Sequence, residues 1–71
     1  MLERKFEIFD PATAELMRAA YHDVCSALRD CNDQEREAVA NCIIELVRKG
    51  ERNRRSLAQA ALARLYPDKH G

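Results

Sequence analysis

The chain has no tryptophan, only two glycines and two prolines, and few aromatic residues (6%). So few turn-forming residues exclude a sandwich of many short strands, and any core must be built from Leu, Ile, Val, Ala and Cys. With 71 residues, the chain has room for one domain and is too short for the large α/β enzyme folds. Its 46% hydrophobic and 34% charged residues are typical of a globular rather than a disordered chain.

The three cysteines, Cys25, Cys31 and Cys42, form no CxxC pair and are odd in number. They therefore cannot make a closed disulfide framework. No uncharged run approaches the length of a membrane span, and nothing at Met1 resembles a cleavable signal sequence. We expect a cytoplasmic protein in a reducing environment, without a membrane partner.

The formal net charge is zero, but the charges are divided unevenly along the chain. Residues 1–47 contain five basic and ten acidic residues, a net charge of −5, whereas residues 48–71 contain seven basic and two acidic residues, a net charge of +5. Such a chain can neutralise itself within one fold or pair with a second copy. The overall basic character of nucleic-acid-binding proteins is absent.

Three successive sets of helix signals predict an all-α protein, a three-helix bundle over residues 10–66. Asp and Asn cap the free N–H groups at helix starts, Gly suits the left-handed residue after a helix, and Pro cannot continue one. The first helix is predicted to begin at Asp10-Pro11 and to end near Asp30. The second begins at Asn32, in a capping box with Glu35, and ends at Gly50. The third begins at Asn53 and ends at Tyr66-Pro67. Residues 1–9 would form an N-terminal arm, and residues 67–71 a frayed tail.

Apolar residues recur at spacings of three and four within each helix and define its inward face. On the arm, Phe6, Ile8 and Phe9 are too apolar for a solvated tail, so some of them should lie on the bundle. The predicted inward positions are Met17, Ala20, Tyr21, Val24, Cys25 and Leu28; then Val39, Cys42, Ile43, Leu46 and Val47; and finally Leu57, Ala58, Ala61, Leu62 and Leu65.

Ile44 lies about 100° around the second helix from the centre of its inward face. Ala40 and Val47 lie between Ile44 and that inward face, so the apolar sector of the second helix is wider than packing against the bundle requires. The arm could cover Ile44, or Ile44 could be a scattered exposed residue. Our leading hypothesis is that Ala40, Ile44 and Val47 form a partner-binding surface. The protein would then be a small interaction or regulatory module that self-associates or binds another protein.

A basic cluster at the turn between the second and third helices supports an alternative, nucleic-acid binding through phosphate contacts. Its members are Arg48, Lys49, Arg52, Arg54 and Arg55. A helix-turn-helix motif is disfavoured because Leu46 stands where a small residue is expected. No aromatic residue interleaves with the arginines for base stacking, so nucleic acid is the less favoured partner.

Catalytic and metal-binding patterns are weak. His22 and Cys25 are one helical turn apart and could form a zinc site with Cys31 and Cys42, but inward-facing cysteines more simply act as small hydrophobic residues. No nucleophile–base pair or Gly-rich phosphate loop can be assigned, and a chain of three helices has little room for a ligand pocket. We expect no enzyme activity, catalytic residue, metal, cofactor or small-molecule substrate.

The stretch VANCIIELVRKGER (residues 39–52), with Phe9-Asp10-Pro11 before it and Leu57 and Ala61-Leu62 after it, resembles small helical proteins of alphaproteobacteria that have no established activity. The likeness loosely covers residues 9–65. Those proteins often have Asp-Pro after Gly-Glu-Arg, where this chain has Asn53-Arg54. The resemblance implies a bacterial, cytosolic, helical protein, and it brings no catalytic residues.

Overall fold

In a computed structural model, the chain is a three-helix bundle preceded by a short 3₁₀ helix. The structure describes residues 2–28 and 31–67. The 3₁₀ helix, Leu2–Ile8, is called the arm helix below; it is followed by α1 (Pro11–Leu28), α2 (Asp33–Arg48) and α3 (Arg54–Leu65). Each α-helix contacts the other two, and the arm helix contacts α1 and α2. The predicted all-α fold is confirmed, and the described residues include no strand.

The first and third α-helices begin at the predicted caps. The Asp10 carboxylate accepts a hydrogen bond from the Thr13 N–H (3.2 Å), and the Asn53 side chain accepts one from the Ser56 N–H (3.0 Å). The hydrogen bonds to Thr13 lower the pKa of Asp10, with a smaller contribution from the positive charge of Arg52. Both caps satisfy N–H groups that have no partner within the helix.

The second helix has the predicted signals at both ends. Asn32 Oδ1 accepts from the Glu35 N–H (2.8 Å), and Glu35 Oε1 accepts from the Asn32 N–H (3.3 Å), which completes the capping box. After the helix, Gly50 has a φ of 107°, and its N–H donates to the Val47 carbonyl (3.0 Å). This left-handed conformation favours glycine because it has no Cβ.

The core combines the arm helix with one face of each α-helix. Of the predicted inward residues, five are only partly buried and pack against the core: Cys25, Leu28, Leu46, Leu62 and Leu65. No buried side-chain nitrogen or oxygen of the described residues lacks a hydrogen-bond partner. The buried residues are Phe6, Ala14, Met17, Ala20, Tyr21, Val24, Val39, Ala40, Cys42, Ile43, Val47, Leu57, Ala58 and Ala61.

The arm is docked on the bundle through Phe6. This side chain is fully buried, and its ring meets that of Tyr21 edge to face, with centroids 6.0 Å apart. Phe9 is half-buried against the core, whereas Ile8 is exposed. The expectation that some apolar residues of the arm lie on the bundle is therefore confirmed. The helical conformation of the arm was not predicted.

Two predicted segments extend beyond the described residues. The predicted frayed tail spans residues 67–71, of which only Pro67 is described. The predicted end of the first helix, near Asp30, lies between the two described ranges. In the described part of the chain, no helix combines the length and the apolar character that crossing a membrane requires.

Candidate interaction surfaces

The partner-binding surface predicted at Ala40, Ile44 and Val47 does not exist as a surface of those three residues. Ala40 is fully buried and Val47 is 1% exposed, so neither is available to a partner in the folded chain. The reason is that α2 contacts the arm helix as well as α1 and α3. A helix with three neighbours requires a wider apolar sector than a helix with two, and the buried residues of α2 include Ala40 and Val47.

Ile44 keeps part of its surface exposed while packing against the core. It belongs to a row on α2 with Glu37 and Asn41, since residues three and four apart lie on one side of a helix. Lys5 of the arm helix reaches this row: its Nζ lies 3.1 Å from Asn41 Oδ1 and 4.0 Å from Glu37 Oε2. The arm helix therefore lies beside the row that contains Ile44.

Ile8 is the large hydrophobic side chain with the greatest exposure, 72%, among the residues whose burial is described. It follows Lys5 by three residues, which is one turn of a 3₁₀ helix, so both side chains leave the arm helix on the same side. Ile8 thus lies on the Lys5 side of the arm, about 6 Å further along it, and its exposure shows that it does not pack against the bundle.

The arm lies next to α2, since Lys5 bonds to Asn41 and the arm helix contacts α2 as well as α1. The Arg52 guanidinium, beyond the end of α2, donates to the Val47 carbonyl (2.6 Å). Ile8 and Ile44 thus lie on neighbouring elements, and each keeps apolar surface exposed to solvent.

Two of the five predicted phosphate-binding residues are already engaged within the fold. Arg54 donates to both carboxylate oxygens of Asp23 on α1, from Nε at 2.7 Å and from Nη2 at 2.9 Å. The hydrogen bond from Arg54 is the main cause of a lowered pKa at Asp23. Arg52 donates to the carbonyls of Val47 (2.6 Å) and Glu51 (3.0 Å), which holds the turn after α2.

The other three, Arg48, Lys49 and Arg55, are exposed, and they have no carboxylate partner within 4.0 Å in the described structure. Arg48 and Lys49 lie at the C-terminal end of α2, where the helix dipole favours positive charge. The structure thus leaves a smaller basic patch than the sequence suggested.

The uneven charge of the sequence is partly neutralised inside the fold. Two ion pairs join a basic residue of α3 to an acidic residue of the first 47: Arg54 with Asp23, and Arg64 with Glu45 (3.1 Å). Both pairs are well exposed, so each contributes little to stability. They join α3 to α1 and to α2 at the surface.

A groove of about 560 Å³ is lined by residues of α1, the turn before α3 and α3 itself. A groove of this size was not expected from the sequence. It is open and contains the Asp23–Arg54 ion pair, whose charges neutralise one another, and it includes no nucleophile beside a base. Its lining residues are Asp23, Asn53, Arg54, Arg55, Ala58, Gln59 and Leu62.

The four residues considered for a zinc site are not assembled into one. In the described ranges, no group of three or more His, Cys, Asp or Glu side chains is placed to hold a metal ion. Cys42 is buried on α2, while Cys25 and Cys31 are half-buried with their Sγ atoms 3.9 Å apart. The ring of His22 lies against Tyr21, with centroids 5.5 Å apart.

No protein-family model matches the sequence, and comparisons with curated proteins and with solved structures give no significant match. The geometry of the chain leaves three candidates: the exposed apolar surface of Ile8 and Ile44, the reduced basic patch, and the groove between α1 and α3.

Proposed function

We propose that this protein is a small cytoplasmic interaction or regulatory module that self-associates through a surface containing Ile8 and Ile44, called the Ile8–Ile44 surface below. The observation that carries the proposal is the 72% exposure of Ile8 on a segment that is itself docked. Contiguous exposed apolar side chains mark contact surfaces, and the proposal is that Ile8 and the exposed part of Ile44 belong to one such patch.

The arm holds Ile8 in a fixed place before any partner arrives. The buried Phe6 ring, two residues earlier, anchors the arm to the bundle. Lys5, three residues earlier, bonds to Asn41. Because the arm is already ordered, little conformational entropy is lost when Ile8 enters an interface, and this favours association.

A second copy of the chain is the occupant that this surface fits best. In a two-fold dimer, each residue of the surface is used twice, and burying one Ile side chain is favourable by about 1.5–3 kcal/mol. A domain of this size buries only about 60% of its unfolded surface when alone, so a further apolar contact would stabilise it. Because the formal net charge is zero, two copies of the chain do not repel each other overall.

Nucleic-acid binding is disfavoured by the positions of the arginines. Arg54 is paired with Asp23 and Arg52 with backbone carbonyls, so a phosphate would have to displace those contacts. The three remaining basic residues give a weak electrostatic field on a chain with no net charge. A gel shift at low salt that is lost at high salt would restore this alternative.

The test is multi-angle light scattering on matched concentrations of the wild type, Ile8→Asp, Ile44→Asp and the control Gln59→Asp. Gln59 is exposed on α3, an element that the arm helix does not contact among the described pairs. The wild type and the control should associate, and both isoleucine variants should be monomers with unchanged helical circular dichroism. A monomeric wild type, or variants that associate as the wild type does, would overturn the proposal.

A further inference from the structure

Cys25 and Cys31 form a thiol pair where α1 ends and α2 begins. Cys25 lies in the last turn of α1, and Cys31 comes directly before Asn32, the cap of α2. Their Sγ atoms are 3.9 Å apart, which is contact distance. A disulfide bond is about 2.05 Å long, so the two sulfur atoms would have to approach by roughly 1.9 Å, the difference between these distances.

The surroundings hold one of the two cysteines in place. The capping box between Asn32 and Glu35 fixes the start of α2 immediately after Cys31. The hydroxyl of Tyr66, beyond the end of α3, donates to Glu35 Oε2 (2.9 Å), which ties a third part of the fold to the same place. The backbone immediately after Cys31 is therefore positioned by contacts that do not involve either thiol.

The two thiols are also accessible, and the third cysteine is not. Cys25 and Cys31 are half-buried, so a small reagent can reach them, whereas Cys42 is 6% exposed on the core-facing side of α2. Cys25 and Cys31 are therefore the accessible pair, and the buried Cys42 is an unreactive thiol of the same chain with which they can be compared.

We propose that Cys25 and Cys31 are a redox-responsive pair that is oxidised to an intramolecular disulfide by low-molecular-weight disulfides such as glutathione disulfide. In the reducing cytoplasm the pair stays as two thiols, and it closes when the disulfide fraction of the surroundings rises. Cytoplasmic disulfides of this transient kind serve redox sensing.

The reaction is a thiol–disulfide exchange in two steps. The Cys31 thiolate attacks one sulfur of glutathione disulfide, whose S–S bond breaks, and one glutathione thiolate leaves. The Cys25 thiolate then attacks the Cys31 sulfur of the mixed disulfide, and the second glutathione thiolate leaves. Two electrons pass from the cysteines to glutathione disulfide, and the two protons of the cysteine thiols end on the two glutathione thiols.

Cys31 is assigned the first attack because Cys25 is the poorer nucleophile. Burial, followed by the hydrogen bond and charge of Cys31, raises the pKa of the Cys25 thiol to about 11, so little of it is ionised at neutral pH. Once Cys31 carries glutathione, the short sulfur–sulfur distance compensates for this, because the second step is intramolecular.

Closing the pair would tie the last turn of α1 to the start of α2. A loop this short loses only a modest amount of unfolded-state entropy when it is cross-linked. The oxidised protein should therefore unfold at a temperature higher by roughly 10–20 °C, and the difference should vanish on reduction with dithiothreitol.

The test is to incubate the reduced, folded protein without oxygen in glutathione buffers of rising disulfide fraction, block free thiols with iodoacetamide, and identify the products by mass spectrometry. The expected product has lost two hydrogen atoms, links Cys25 to Cys31, and leaves Cys42 free for alkylation after unfolding. Cys42→Ala should behave in the same way. Cys25→Ser should stop at a mixed disulfide on Cys31, whereas Cys31→Ser should form little adduct, because Cys25 is the poorer nucleophile.

Circular dichroism of each variant establishes that it is folded before the result is read. Glutathione adducts that persist on wild-type Cys31 without closing would overturn the proposal, as would links to Cys42 as frequent as those between Cys25 and Cys31. No oxidation in a buffer that contains only glutathione disulfide would overturn it as well.

Discussion

Arg54, in the first turn of α3, donates two hydrogen bonds to the carboxylate of Asp23 on α1, at 2.7 and 2.9 Å. Two parallel N–H···O bonds between a guanidinium and a carboxylate fix direction as well as distance. The pair therefore sets where α3 begins along α1. It also removes Arg54 from the set of basic residues that are free to contact a phosphate.

The first prediction concerns the pH dependence of this pair. The hydrogen bonds from Arg54 lower the pKa of Asp23 below 3.8, so its contribution to stability is present above that value and is lost as the pH falls through the lowered pKa. At pH 7, Asp23→Asn should unfold a few degrees below the wild type. This gap should shrink as the pH falls below about 4.

The measurement is thermal unfolding followed by circular dichroism from neutral to acidic pH. Glu15→Gln serves as the control, because Glu15 is exposed on the same helix and has no ion pair in the described structure. A gap between the wild type and Asp23→Asn that does not change with pH would contradict the assignment.

The second prediction concerns the anchor of the arm. Phe6 is fully buried against Tyr21, so Phe6→Ala should lower the free energy of unfolding by about 3–5 kcal/mol. That loss is a large share of the stability of a small domain. Urea unfolding at a protein concentration low enough to keep the chain monomeric measures it, with Ile8→Ala as the matched control, expected to change stability by less than about 0.5 kcal/mol. Equal effects of the two substitutions would show that the arm is not docked.

The third prediction concerns the start of α2. Asn32→Ala removes both the acceptor for the Glu35 N–H and the capping box, and it should cost about 1 kcal/mol of stability. Asn32→Asp keeps an oxygen at the same place and should cost little, since Asp caps helices as well as Asn does. If urea unfolding gave the same loss for both variants, the stability would not depend on the cap.

The fourth prediction concerns the reactivity of Cys25. Its pKa, raised to about 11, means that the rate of alkylation in the folded protein should keep rising with pH beyond 9, the ordinary value, because only the thiolate reacts. In the urea-unfolded chain the rate should be half-maximal near pH 9 and level off above it. Peptide mass spectrometry follows Cys25 alone. A folded-state profile that levels off at the same pH as the unfolded one would contradict the raised pKa.

The helix ends could be predicted from the sequence because they depend on local interactions. Asp10, Asn32 and Asn53 each cap a helix through an N–H group three residues later. Gly50 takes the left-handed conformation at the end of α2. Such signals lie within four or five residues of one another, so a single sequence contains them in full.

The candidate surface could not be predicted in the same way, because it depends on contacts between distant segments. The width of the apolar sector on α2 indicated an additional contact at Ala40 and Val47, but periodicity does not distinguish a partner from the chain's own arm. The pairing of Cys25 with Cys31 depends on the path between two helices. The pairing of Arg54 with Asp23 depends on how α3 crosses α1.

Sedimentation equilibrium of the wild type and of Ile8→Asp, over concentrations from micromolar to millimolar, tests the central claim most directly. If the Ile8–Ile44 surface joins two copies, the wild-type mass should rise with concentration from 8.1 kDa to twice that value, while Ile8→Asp should stay at 8.1 kDa. A wild type that remains at the mass of one chain throughout, or a variant that doubles its mass as readily, would contradict the account.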